Sequence, residues 1–273
     1  MQHPVVRAAL SALAVLVGLG TASAQVQPSA CPQFFPRGQE PGLLDARLAQ
    51  RATLLCNSAY AVLASGVTKG AIWSAEHLTA DMVAAARDTV RASEFFADDR
   101  LPPADQALNE DYRGSGFDRG HMTPSGDMPD GDTQQQSFSL ANMVPQSPKL
   151  NRGVWAGIEM AVRNLAAREG ELYVVTGPSF QGQQLRSIGA GVLVPSSTWK
   201  AVYSPLQAGA AAYVCTNAAK PRCRTISVAA LSAAVGVDPF PALDPTMKQT
   251  AMPLPPAEHS AHAVRRPRRV AGQ

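Results

Sequence analysis

Asp111-Tyr112-Arg113-Gly114-Ser115-Gly116-Phe117-Asp118-Arg119-Gly120-His121-Met122 brings a carboxylate, a guanidinium and an imidazole together within its residues 118–121. The glycines in and around that group let backbone or a bound molecule approach closely. Attack on a phosphodiester needs a base to deprotonate water, a cation to meet the developing negative charge, and usually a hard metal at the leaving oxygen. His121 can supply the base and Arg119 the cation. The polar approach from 100 to 116, bearing Pro and Gly, reads as an irregular loop, the kind of segment on which function tends to sit.

Downstream, residues 151–170 read as the clearest helix. Val154, Trp155, Ile158, Val162 and Leu165 make an apolar stripe, Asn151 stands as an N-cap and Gly170 as the stop. At about 100° per residue, Arg152, Glu159 and Arg163 fall close together on the flank of that stripe. Short β-rich runs follow at 172–176, 192–194, 198–203, 211–216 and 225–228, parted by Gly, Pro and Asn turns, and a small helix is expected at 228–235. They predict one mostly antiparallel sheet with flanking helices, an α+β fold. Upstream, the apolar spacing of Leu43, Leu44, Leu48, Leu54, Leu55 and Val62 predicts a packing helix over 43–63. A second segment carries Trp73 and His77, and the run 78–90 reads as a helix start or a connection.

The chain has 273 residues, 45% hydrophobic and 16% charged, which excludes a disordered chain and allows one large domain over 25–247. A net charge of +3 excludes a strongly basic polyanion-coating protein, so nucleic-acid contacts must come from local clusters. Residues 1–24 fit a signal peptide: a short start ending at Arg7, an apolar run to Leu19, and Ala22-Ser23-Ala24 before the cut. The apolar run is too short for a membrane span. A secreted or periplasmic protein with no stable membrane association follows. Cys31, Cys56, Cys215 and Cys223 all lie beyond the cut and suit an oxidising compartment; three pairings are open, and proximity favours Cys31 with Cys56 and Cys215 with Cys223. The absence of a C-x-x-C pair argues against zinc.

Asp118-Arg119-Gly120-His121 resembles the D-R-G-H signature of the DNA/RNA non-specific endonucleases, the ββα-metal or His-Me finger nucleases. Phe138, Asn142, Pro145-Gln146, Asn151, Trp155 and Glu159 reproduce the family's second block, in which an Asn opens a helix and a Glu follows eight residues later. The resemblance reaches upstream to Arg91, Phe95 and Leu101-Pro102, and downstream through residues 173–178 and Val194-Pro195 to Trp199-Lys200. Phe117, where the family often has Tyr, and Ala141, where it often has Thr, are departures.

The resemblance implies a ββα-metal finger holding His121 as general base and Asn151 as the protein ligand of one Mg²⁺, with Mn²⁺ as its substitute. Glu159 would orient metal-bound water, Asp118 would support the site, and Arg91, Arg119 and Arg163 would contact phosphate or stabilise the transition state. DNA and RNA are the implied substrates; a homodimer and an inhibitor protein are further partners that no residue pattern decides.

Each position has a plainer competitor. His121 could be a core histidine, Asn151 only a cap, and Glu159 with Arg163 a helix-surface ion pair. Arg119 could pair with Asp111 or Asp118, Arg152 reads as a solvated face, and His77 as packing. Asp127, Asp130 and Asp132 fail the EF-hand spacing and read as a polar loop. From Lys248 onward the chain carries five basic residues and one acid, including Arg265-Arg266-Pro267-Arg268-Arg269, and reads as a disordered basic tail. A catalytically silent nucleic-acid-binding module and a phosphodiesterase for small phosphates are the rival functions.

Overall fold

The computed structural model describes residues 29–90 and 94–257, so the leader 1–24, Arg91 and the basic run 265–269 lie outside the described residues. In chain order the strands are β1 (Gly42–Leu43), β2 (Ala52–Cys56), β3 (Ala61–Ser65), β4 (Gly70–Thr79), β5 (Asp118–His121), β6 (Met143–Gln146), β7 (Glu171–Ser179), β8 (Ser187–Ile188), β9 (Val192–Leu193), β10 (Ser197–Ser204), β11 (Gly209–Thr216), β12 (Cys223–Ile226) and β13 (Val237–Asp238). The helices are α1 (Ala80–Ala86), α2 (Asn109–Tyr112), α3 (Gly131–Ser137), α4 (Ala156–Glu169), α5 (Val228–Val235) and α6 (Pro245–Gln249).

Seven strands pair antiparallel in the order β12-β11-β10-β7-β4-β3-β2. The fold is α+β, with the β-rich runs where their alternation places them. Because side chains alternate across a strand, the central strands feed two cores at once. Trp73, Ala75, Val175, Trp199, Ala201 and Ala212 face Phe34, Phe35, Leu231 and Phe240 on one side. Leu78, Leu172, Val174, Val202 and Ala211 face Trp155, Ile158, Val162 and Leu165 of the α4 region on the other. On that second side, Val62, Ala64 and Ala71 pack under Met122 and Val144, the residues that adjoin and form the β5–β6 ribbon.

Three sequence expectations are corrected. Residues 43–63 form no long helix: after a single 3-10 turn at Ala46–Ala49 comes a hairpin, β2 on β3, closed by the Asn57 N–H donating to the Tyr60 carbonyl at 2.8 Å. Tertiary pairing overrides the apolar spacing there, since β3 must pair with β4 and Cys56 must reach Cys31. The 192–194 run pairs with β8 in a separate ribbon, outside the main sheet. The helix expected from Asn151 becomes α-helical only at Ala156; Leu150–Trp155 winds more widely, with Gly153 at φ −111°, ψ −114°. The Asn151 N–H already donates to the Ser147 carbonyl at 2.9 Å, so Asn151 does not cap the helix and its side chain is left for other work. Gly170, at φ +94°, ends α4 as expected.

Residues beyond α6 follow the body as far as 257: Met252 is buried, its N–H donating to the Ala210 carbonyl at 3.1 Å. Among the described residues no helix is long and apolar enough to cross a membrane. The disulfides are Cys31–Cys56 and Cys215–Cys223, as proximity favoured. Cys215 and Cys223 are already register partners on β11 and β12, whereas Cys31–Cys56 ties the N-terminal segment to the sheet edge across a longer loop. Replacing Cys31 and Cys56 together by Ser is therefore expected to cost about 3 kcal/mol in urea unfolding, and more than the same change at Cys215 and Cys223.

Candidate active site

The β5–β6 ribbon and α4 form a strand-strand-helix unit over an open cleft of about 740 Å³. Phe95, Asp118, Arg119, His121, Asn151, Glu159 and Arg163 all line it, so every described residue expected in the catalytic set converges here. The ribbon pairs Asp118 with Gln146 and His121 with Met143. Gly120 is required between them, because a Cβ at that position would overlap the Gln146 side chain.

Alternation along β5 sends Arg119 and His121 to one face and Asp118 to the other. The Arg119 guanidinium lies 4.2 Å over the Phe95 ring, and its Nη1 donates to Asn109 Oδ1 at 2.8 Å. Asn109 is anchored in turn by donating to the Phe95 carbonyl at 2.7 Å. Arg119 thus pairs with neither Asp111 nor Asp118, and the structural pairing that the sequence left open is not made. The His121 ring is wedged against Phe95 at 5.7 Å and, edge-on, Phe138 at 4.9 Å between centroids. Asn142 fixes the backbone after it, accepting from the Thr123 N–H at 3.0 Å and donating to the Thr123 carbonyl at 2.9 Å.

Asp118 joins the two halves of the unit. Arg152 donates to both its oxygens, Nε at 2.8 Å and Nη2 at 2.5 Å, and Asn151 Nδ2 donates to Oδ2 at 3.0 Å. Arg152 is therefore more than a solvated face: it orients the carboxylate that orients Asn151. With the amide nitrogen committed to Asp118, Asn151 presents its oxygen, a hard neutral donor.

The Arg163 side chain is largely buried, 20% exposed, and Glu159 is one of the acids whose charge acts on it. Its Nη1 donates to Asp127 Oδ1 at 2.6 Å, and Asp127 is 2% exposed. The polar-loop reading of Asp127 is overturned: it is buried beneath the cleft, and Gly126 beside it leaves room for the guanidinium to come close. Burial opposes the Arg163 charge, but Asp127, Glu159 and Glu76 outweigh it and raise its pKa, so it stays a cation. Asp130 caps α3 by accepting from the Thr133 N–H at 2.8 Å. His77 takes no part in lining the cleft; it stacks on Tyr173 at 4.3 Å with Nε2 against Glu171 Oε2 at 2.5 Å.

The sequence reads Asp127 as a polar loop and Arg152 as a solvated face, and does not single out Asn109, because the partner of each is distant in the chain or on another element. It passed over Asp98 as well. Asp98, 2% exposed, accepts from Arg100 Nη2 at 2.6 Å and Ser139 Oγ at 2.7 Å, and so ties the segment after Phe95 to the one after Phe138.

The family model described as DNA/RNA non-specific endonuclease matches residues 45–246. A protein named "Nuclease" from Nostoc sp. is 31% identical over 197 residues, 70% of each chain. "Nuclease 1, mitochondrial" of Schizosaccharomyces pombe is 32% identical over 183 residues, covering 62% of this chain, and "Endonuclease G, mitochondrial" of Bos taurus is 34% identical over 174 residues, covering 63% of it. The matches span 54% and 56% of those two mitochondrial proteins. Among solved structures, a chain of the EndoG/EndoGI complex, studied for the mechanism of EndoG inhibition, superposes with a TM-score of 0.64 at 26% identity, covering 69% of this chain and 87% of that one.

Burial works against the Asp98 charge, but the bonds from Arg100 and Ser139 outweigh it and hold its pKa below the usual carboxylate range. A lowered folded pKa gives stability that is present above the unfolded value and lost as pH falls through the folded one. Asp98→Asn is expected to cost about 1–3 kcal/mol at neutral pH, with the gap to wild type closing as pH falls below about 4, read by thermal melts across pH.

Proposed function

The chain belongs to the DNA/RNA non-specific endonuclease family and is a nuclease, and from that premise we propose that His121, Arg119, Arg163, Asn151, Glu159 and Asp118 hydrolyse the phosphodiester bonds of DNA and RNA in this cleft. The observation that carries the assignment is the Asp118 clamp, which joins the strand bearing the His to the helix bearing the Asn and Glu.

His121 takes a proton from water, the water oxygen bonds to phosphorus, and the P–O3′ bond breaks with its electron pair going to O3′, which takes up a proton from solvent, leaving a 5′-phosphate and a 3′-hydroxyl. Phe95 and Phe138 hold the imidazole plane for that transfer. Arg119 spends one N–H on Asn109 and keeps others for a non-bridging phosphate oxygen. Arg163, held by Asp127, is a second cation for the charge that develops. The same role extends to Arg91, which lies outside the described residues. Contacts aimed at phosphate position the protein without specifying sequence, which fits cutting without sequence preference.

The donor set fits Mg²⁺, with Mn²⁺ as a substitute. Among the described residues no group of three or more His, Cys, Asp or Glu forms a metal cage, while the Asn151 oxygen is turned from its fixed amide nitrogen and Glu159 lines the same cleft. Mg²⁺ keeps several waters and needs few protein ligands, so one amide oxygen with a nearby carboxylate suffices. When bound, the ion would supply positive charge to offset the negative charge developing in the reaction. Two disulfides support an oxidising compartment, secreted or periplasmic, for the working protein.

Purified protein with Mg²⁺ is expected to nick supercoiled plasmid and degrade RNA, to stop with EDTA, and to lose about 10²- to 10⁴-fold in rate as His121→Ala. Binding of plasmid without cutting, across several divalent metals, would establish the silent-module reading instead. Asn151→Ala is expected to need far more Mg²⁺ for what activity it keeps, measured as rate against metal concentration.

A further inference from the structure

Residues 172–237 contain no Asp or Glu, and from that acid-free stretch Arg186 reaches the wall of the cleft. Its guanidinium carbon lies 5.3 Å from the centre of the Phe117 ring, and Phe117 lines the cleft together with Arg113 and Asp118. The arrangement repeats that of Arg119, whose guanidinium lies 4.2 Å over Phe95. Phe95 and Phe117 both pack against one buried cluster that includes Tyr112, Leu140, Met143 and Val192, so the two guanidiniums rest on rings with a common support.

The ribbon that carries Arg186 is moored on two sides. The Arg186 carbonyl accepts from the Val194 N–H at 2.8 Å, and the Leu193 N–H donates to the Thr68 carbonyl at 3.0 Å. At the turn between β8 and β9, the Ala190 N–H donates to Asp111 Oδ1 at 2.7 Å, while Asp111 Oδ2 accepts from the Leu108 N–H at 2.8 Å. Asp111, buried, thus spends its oxygens on backbone and ties the ribbon to the segment that leads into β5. Arg186 itself is exposed, and among the described residues no carboxylate forms a salt bridge with it. The ring attracts the cation through its π face without neutralising it, so the charge and its N–H donors stay available to an anion.

We propose that Arg186, seated on Phe117, is a binding subsite for a backbone phosphate that neighbours the scissile one on the same nucleic-acid strand. Arg119 meets the phosphate that is cut, and Arg186 meets the next. This rests on the nuclease reading above and adds to it a demand on substrate length, because a ligand with a single phosphate cannot occupy both guanidiniums. Arg186 touches no reacting atom, so it positions the strand and acts through affinity. A contact to phosphate carries no base information, and the subsite therefore serves every sequence alike.

The experiment compares wild type, Arg186→Ala and Arg186→Lys for kcat and KM with Mg²⁺ on a long single-stranded oligonucleotide and on an unphosphorylated dinucleotide, whose only phosphate is the scissile one. Binding of the long oligonucleotide is measured in the His121→Ala background, with EDTA, across salt concentrations. Arg186→Ala is expected to lower the preference for the long substrate over the dinucleotide, taken as the ratio of kcat/KM values, about three- to tenfold, through KM on the long substrate. It is also expected to flatten the slope of log K against log salt by about 0.7, the share of one single-strand phosphate contact. Arg186→Lys keeps the charge and is expected to keep the wild-type slope. If Arg186→Ala leaves the preference or the slope as in wild type, or if Arg186→Lys flattens the slope as much as Ala does, the proposal fails. Should the wild type leave the dinucleotide uncut, the salt slope decides alone. A wild type that cuts neither DNA nor RNA defeats the nuclease reading, while the slope in the His121→Ala background still reports whether Arg186 holds a phosphate.

Discussion

The ammonium of Lys200, 1% exposed and bonded to Thr176 and to the Met122 carbonyl, ties the β5–β6 ribbon to the main sheet. A charge taken that far from water is costly unless its hydrogen bonds are met, so the sheet and the ribbon are constrained to meet where Lys200 can reach both. Its ammonium also stands 5.7 Å from the Trp155 ring centre, at the entrance to α4. Ser74 extends the same line of attachment, 2.6 Å from Thr123 Oγ1. The residues just after His121 are thereby held from below, and the imidazole inherits its place from the sheet.

A second constraint acts at the top of the unit. Asp118 has two oxygens, and Arg152 and Asn151 use both, so strand and helix cannot slide without breaking charge-assisted bonds. Arg152 is 73% exposed in its side chain, so this pair in water adds little to stability. Its effect is geometric: with the Asn151 amide nitrogen bonded to Asp118, the amide oxygen is the atom left as a donor group. The ring of Phe95, shared by Arg119 and His121, fixes the other wall in the same way, by shape and polarisation.

The residues of the site were legible in the sequence because phosphodiester chemistry needs scarce side-chain types, and a histidine between Arg119-Gly120 and a helix carrying Asn151 and Glu159 is a dense signal. The sheet was legible from alternation and turns. The 43–63 segment was not, because leucines three and four apart suit a helix surface as well as a half-buried hairpin, and only pairing with β4 and the bond to Cys31 choose between them. The wide turns of Leu150–Trp155 were hidden for a related reason. Local propensity continues the helix to Asn151, while the clamp to Asp118 draws that end out of register.

The sequence by itself determined the α+β class and the identity of the groups able to carry the chemistry. The tertiary structure alone decided which of those groups support which. It turned Asp127 from a loop acid into the holder of Arg163. The reason is physical: composition and spacing fix what a side chain is able to donate, accept or ionise. Burial and the approach of residues far apart in the chain fix which of those capacities are used, because both exist only after the sheet has closed.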